Sequence, residues 1–178
     1  MRAIPLTVAA ALSAALLLTA CDDGGDSGDS GTDSATSQGS TACKIDEMGV
    51  QVGPANAAPA AGDTGNVPVT ITNKGAKCTL DGLPAVDLYA GGTSATVAPD
   101  EAAKARKLTL AKDASVSFTL TYVRGEEGGD KSLAVKTVKF SLPGATATHS
   151  FSWSYGAVAL KSAGEPDASV TPFQQAND

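Results

Sequence analysis

Apolar residues take every second position at Val67, Val69 and Ile71, with Pro68, Thr70 and Thr72 between and after them. The same period recurs in Val116, Phe118, Leu120 and Tyr122, spaced by Ser117, Thr119 and Thr121. It recurs again in Ala147, His149, Phe151 and Trp153, spaced by Thr148, Ser150 and Ser152. Period two with β-branched and aromatic residues marks strands that put one face on a core and the other in water. Leu133 and Val135 run on into Val138, Phe140 and Leu142 with the inward phase slipped by one residue, so a β-bulge is expected near Lys136 and Thr137. Further candidate strands are Met48–Val52, Ala85–Tyr89, Ser94–Val97, Lys107–Leu110 and Ser169–Phe173. Turn chemistry separates them at Asn73-Lys74-Gly75, Gly91-Gly92, Gly125 to Gly129 and Pro143-Gly144. The stretch from Pro99 to Arg106 is expected to make a helical turn, and Pro68 suits an edge strand or a strand start.

About seven to nine short half-polar strands from Cys43 to Asp178 predict an all-β fold, an antiparallel immunoglobulin-like β-sandwich. Composition agrees. The chain is 42% hydrophobic but only 4% aromatic, so its core is built of aliphatic residues around a few rings.

The first twenty residues follow another pattern. Arg2 is followed by an apolar run from Ile4 to Ala20, interrupted only by Pro5, Thr7 and Ser13. Seventeen helical residues reach roughly 25 Å, at the short end for a membrane span. The run stops at Leu18-Thr19-Ala20-Cys21, which resembles the lipobox read by lipoprotein signal peptidase: an aliphatic residue, two small residues and an obligatory Cys. Residues 1–20 are therefore read as a cleaved signal peptide, and Cys21 as the lipidated first residue of a bacterial lipoprotein. Two acyl chains would hold it durably on the outer face of the cytoplasmic membrane.

From Asp22 to Ala42 there is no aliphatic residue larger than Ala and no aromatic, so residues 21–42 are expected to form a disordered linker. Such a coil has a root-mean-square reach of about 25 Å. Its five aspartates (Asp22, Asp23, Asp26, Asp29 and Asp33) hold most of the acidity of a chain of net charge −6. The remainder, 43–178, carries 12 basic against 14 acidic residues. With no basic stripe to displace counterions from a phosphate backbone, nucleic acid is not an expected partner. The aspartate spacing matches neither an EF-hand loop nor a nonapeptide calcium repeat.

With Cys21 set aside for lipid, Cys43 and Cys78 remain, and an even pair outside the membrane reads as a disulfide. They lack the C-x-x-C spacing of a redox pair. His149 is the only histidine, and it has no G-x-S-x-G elbow or recognisable serine partner, so it reads as a strand-end residue at the sandwich rim. One His with Met48 as the only methionine after the signal cannot build a copper or zinc centre of the usual ligand sets. The carboxylate pairs Asp46-Glu47, Asp100-Glu101 and Glu126-Glu127 are sequence neighbours on expected loops, where they solvate turns. The segment Gly125 to Gly129 has the wrong sign to cradle phosphate. No catalytic residue and no cofactor is expected.

The residues Gly65-Asn66, Asn73-Lys74-Gly75 and Cys78-Thr79-Leu80-Asp81-Gly82-Leu83-Pro84 resemble a G-N…N-x-G…C-x-L-x-G-[aromatic]-P signature. It is the signature of a domain-of-unknown-function family, number 4232, common in actinobacterial lipoproteins and secreted proteins. The resemblance runs from Cys43 to Phe173 and implies an extracytoplasmic domain with no known catalytic residues. Leu83 stands where that family usually has an aromatic residue, and the family's second cysteine pair is absent.

The resulting expectation is a membrane-anchored, non-enzymatic domain that binds an envelope protein or glycan. The alternatives are a cell-envelope hydrolase using His149 with loop carboxylates, and an accessory subunit of a membrane complex.

Overall fold

The structure, a computed structural model, describes residues 41–175. Cys21, the Leu18-Thr19-Ala20 motif and the linker up to residue 40 lie outside the described residues. In chain order the first elements are β1 (Thr41–Ala42), a 3₁₀ turn (Ile45–Glu47), β2 (Met48–Val52), β3 (Thr64–Asn73) and β4 (Cys78–Gly82). They are followed by β5 (Ala85–Ala90), β6 (Thr93–Pro99), β7 (Arg106–Leu110), β8 (Ser115–Val123) and β9 (Ser132–Leu133). Then come β10 (Thr137–Ser141), β11 (Thr148–Ser152), β12 (Val158–Ser162), β13 (Glu165–Pro166), β14 (Ala168–Val170) and β15 (Gln174–Gln175). No α-helix forms among the described residues. The expected all-β sandwich is what is observed.

One layer has the order β2-β3-β8, with β14 and β15 side by side in sequence along the far edge of β8. The other has the order β11-β10-β5-β6. β14 joins the two layers, lying antiparallel to β8 and parallel to β6. Two small sheets flank them, β1-β4-β7 and β13-β12-β9. The alternating residues meet between the layers: Val67, Val69 and Ile71 from β3, Val116 to Tyr122 from β8, Val86 and Leu88 from β5, Val138 and Phe140 from β10, all buried. Phe118 stands edge-on to Phe140 across the gap, with ring centroids 5.3 Å apart. Burying a side chain of this size contributes about 1.5–3 kcal/mol.

Four details bear on the expectations. Pro68 is in the middle of β3, an interior strand, opposite Thr119 of β8. Its carbonyl accepts the Gly53 N–H at 2.9 Å, so the missing N–H of the proline points to the β2 side, just where β2 ends. No bond to β8 is lost, because within a strand the N–H and C=O of one residue face the same neighbour. The phase slip falls at Lys136 and Thr137 as expected, where Lys136 N–H bonds Tyr89 O and Thr137 also pairs with Tyr89, two residues against one as in a bulge, and it coincides with a change of sheet. β9 pairs with β12 and β10 with β5 and β11, so the chain changes sheets between Leu133 and Thr137, with Val135 N–H turned back onto Leu133 O. Cys78–Gly82, not among the candidate strands, forms one, and Thr41–Ala42, expected to end the linker, pairs in parallel with it. The stretch after Pro99 closes one turn, Ala103 N–H to Asp100 O, as expected, and goes no further.

Candidate functional site

Cys43 and Cys78 are bonded and both buried. They sit at the end of the domain where β3 stops, and Cys43 N–H also bonds Thr79 O. His149 lies on β11, the last strand of its layer, half-buried, with its ring 5.5 Å from that of Phe140. No Ser or Asp is hydrogen-bonded to it among the described residues. The carboxylate pairs do not converge. Asp46 and Glu47 form the exposed 3₁₀ turn, with Glu47 3.8 Å from Lys44. Asp100 caps its own turn through Ala102 N–H. Glu127 accepts Ala157 N–H at 3.0 Å while Glu126 is exposed. Among the described residues no three His, Cys, Asp or Glu groups lie together as metal ligands.

What the fold does bring together is an aromatic and arginine cluster where β3 begins and β8 ends. Tyr122 is buried, its ring 4.9 Å from Trp153, and Trp153 stands edge-on to Tyr155 at 4.8 Å. The Tyr122 hydroxyl accepts Ala58 N–H at 3.2 Å and donates to Tyr155 O at 3.0 Å. Gly65 faces Tyr122 across the β3–β8 pair, and a Cβ there would lie 2.6 Å from Cζ of the ring, so only glycine lets the ring cross. Trp153 Nε1–H bonds Gly156 O at 2.6 Å, closing the 153–156 turn. Arg124, the residue after β8, donates from Nη1 to Ala58 O (2.9 Å) and Pro59 O (3.0 Å). Gly156, at φ +87°, leaves room for that guanidinium. A recess of about 640 Å³ opens beside this cluster. Arg124, Glu126, Asp130 and Lys131 give it both signs of charge, and Val123 and Leu160 give it an apolar wall. Its volume is that of a small-molecule or peptide site.

The opposite end of β3 is closed. Asn73 is fully buried; its Nδ2 donates to Ala76 O at 2.8 Å and lies 3.2 Å from both Leu110 O and Ala111 O, while Oδ1 accepts Gly75 N–H at 3.0 Å. One amide thus ties the turn after β3 to the turn after β7.

Residues 43–174 match the family described as Domain of unknown function (DUF4232). The chain belongs to the DUF4232 family. Among curated proteins it has no match. The DUF4232 match begins at Cys43, the disulfide residue that opens the domain. Within this DUF4232 domain the signature residues have distinct structural roles. Gly65 admits Tyr122, Asn73 and Gly75 build the closed end, and Cys78 forms the bridge. Gly82, at φ +140°, passes close to Pro143, and the apolar residue packed by the following turn is Pro84, buried, with Leu83 only half-buried. Arg124 and the Tyr122 hydroxyl were invisible in the sequence because their partners are backbone groups some sixty residues away. The one available signal was a lone arginine placed between an alternating strand and a glycine-rich turn.

Proposed function

We propose that this DUF4232 chain is a membrane-tethered, extracytoplasmic binding module, non-enzymatic, held by lipid on Cys21 and presenting the recess beside Arg124 to a polar envelope partner. The observation that carries the reading is the polarity of the domain. The chain enters at Thr41–Cys43, beside Cys78 and the closed Asn73 end, while the recess is at the other end of β3. Ten strand residues separate the two ends, about 33 Å. A tether attached at one end leaves the other free to meet a ligand. The recess carries both signs of charge, which suits a peptide or a zwitterionic group better than a polyanion, and its Arg124 wall is held in place by backbone carbonyls.

Affinity capture from an envelope extract tests this, run in parallel with the wild-type chain and a Glu126→Lys, Asp130→Lys variant. A specific protein or glycan retained by the wild type and lost from the variant is the expected result. Repeated recovery of no specific species, or equal recovery by both, would contradict it.

A further inference from the structure

Strand edges are templates for another chain unless charge, proline, a bulge or shortness blunts them. Most edges of this domain are blunted. β7 begins with Arg106 and Lys107, β13 contains Pro166, and β1, β9 and β15 are two residues long. β11 has none of these devices. It pairs with β10 in unbroken register over five residues, Thr148-His149-Ser150-Phe151-Ser152. From Leu142 to Leu160 the chain holds no Asp, Glu, Lys or Arg, although 18% of all residues are charged.

The ladder geometry fixes which groups are free. Trp153 N–H bonds Lys136 O, so Trp153, Phe151 and His149 turn their backbone groups toward β10. Thr148, Ser150 and Ser152 turn theirs to the open side, and all three are exposed. Among the described residues nothing bonds those groups. β2 is the other uncharged edge, but its open-side residues Met48, Val50 and Val52 are half-buried, so β11 offers the accessible ladder.

We infer that β11 is a pairing edge for β11 of a second copy of this chain, antiparallel and centred on Ser150. Self-complementarity is what points to a second copy. Centred on Ser150, the two open ladders bond Ser150 to Ser150 and Thr148 to Ser152 of the partner copy. Small hydroxyls then meet on the solvent face. The intervening non-hydrogen-bonded positions, where side chains approach most closely, set His149 against Phe151 twice. No charge is brought against a like charge, and the four-stranded layer becomes one continuous sheet across two copies. This pairing needs neither the recess nor the lipid.

Variants of the full chain with one added cysteine, studied in membranes of the producing cells under air oxidation, read the register directly. Ser150 faces itself with Cα atoms about 5.5 Å apart, a separation that a disulfide spans. Ser150→Cys should therefore give a reducible dimer, at least about tenfold more than Thr148→Cys, whose counterpart in this register is residue 152. Thr148→Cys and Ser152→Cys co-produced should bridge to each other. The wild-type chain is the blank for any bridge through Cys21, and near-ultraviolet circular dichroism of the purified variants checks that they fold. A monomeric Ser150→Cys, or equal dimer from Thr148→Cys, overturns the proposal.

Discussion

The two ends of β3 are built from similar parts and behave as opposites. At one end Asn73 is fully buried, its amide oxygen and nitrogen are both engaged, and the disulfide lies beside it. At the other end Tyr122 and Arg124 also grip backbone groups of distant loops, but by non-covalent bonds alone, and a recess of about 640 Å³ opens next to them. The difference teaches where the domain concentrates its rigidity. The end through which the chain enters is locked covalently, and the recess lies at the end farthest from it. Loops held on a rigid scaffold are where binding residues concentrate.

Breaking the locked end should cost the most. Replacing Cys43 and Cys78 together by Ala should lower the unfolding free energy by about 3–4 kcal/mol for a loop of 35 residues, read from urea midpoints. Asn73→Ala should cost about 2–3 kcal/mol, because it strips several buried backbone groups of their partners. In that variant, amide exchange should rise around residues 74–78 and 110–114 and stay unchanged around Arg124. Tyr122→Phe should cost less, about 1–2 kcal/mol, since the ring remains over Gly65 and only the hydroxyl bonds to Ala58 and Tyr155 are lost. Its exchange signature should fall on residues 56–60 and 155–157. The smallest effect belongs to the recess surface: Glu126→Lys with Asp130→Lys should change stability by less than about 0.5 kcal/mol while abolishing partner capture. If Asn73→Ala loosened both ends equally, the two would be one cooperative unit and the contrast would fail.

Much of the sandwich was legible because its main strands bury one face. β3, β8 and β11 alternate in sequence as they alternate in burial. β4 was not legible, because Cys78, Thr79 and Leu80 are buried in succession and leave no period to read. Leu133 to Phe140 carried a true signal that was only half read: Lys136 and Thr137 do oppose the single residue Tyr89, but the chain also changes sheet there, which a local pattern cannot show. Pro68 misled for a similar reason, since whether its missing N–H matters depends on where the neighbouring β2 ends. The cysteine pairing followed from counting. The candidate site did not, because Arg124 and Tyr122 act on backbone atoms, and backbone partners leave no residue-type signature.

The proposal that the domain is held by its closed end rests on lipid at Cys21. Intact-mass analysis of the protein extracted from membranes tests this most directly, comparing the wild type with Cys21→Ser. The expected result is a wild-type chain beginning at Cys21 and carrying a diacylglyceryl group, and a Cys21→Ser chain that is unlipidated and retains residues 1–20. A wild-type chain with no lipid on Cys21, or a Cys21→Ser chain that is still acylated, would contradict it.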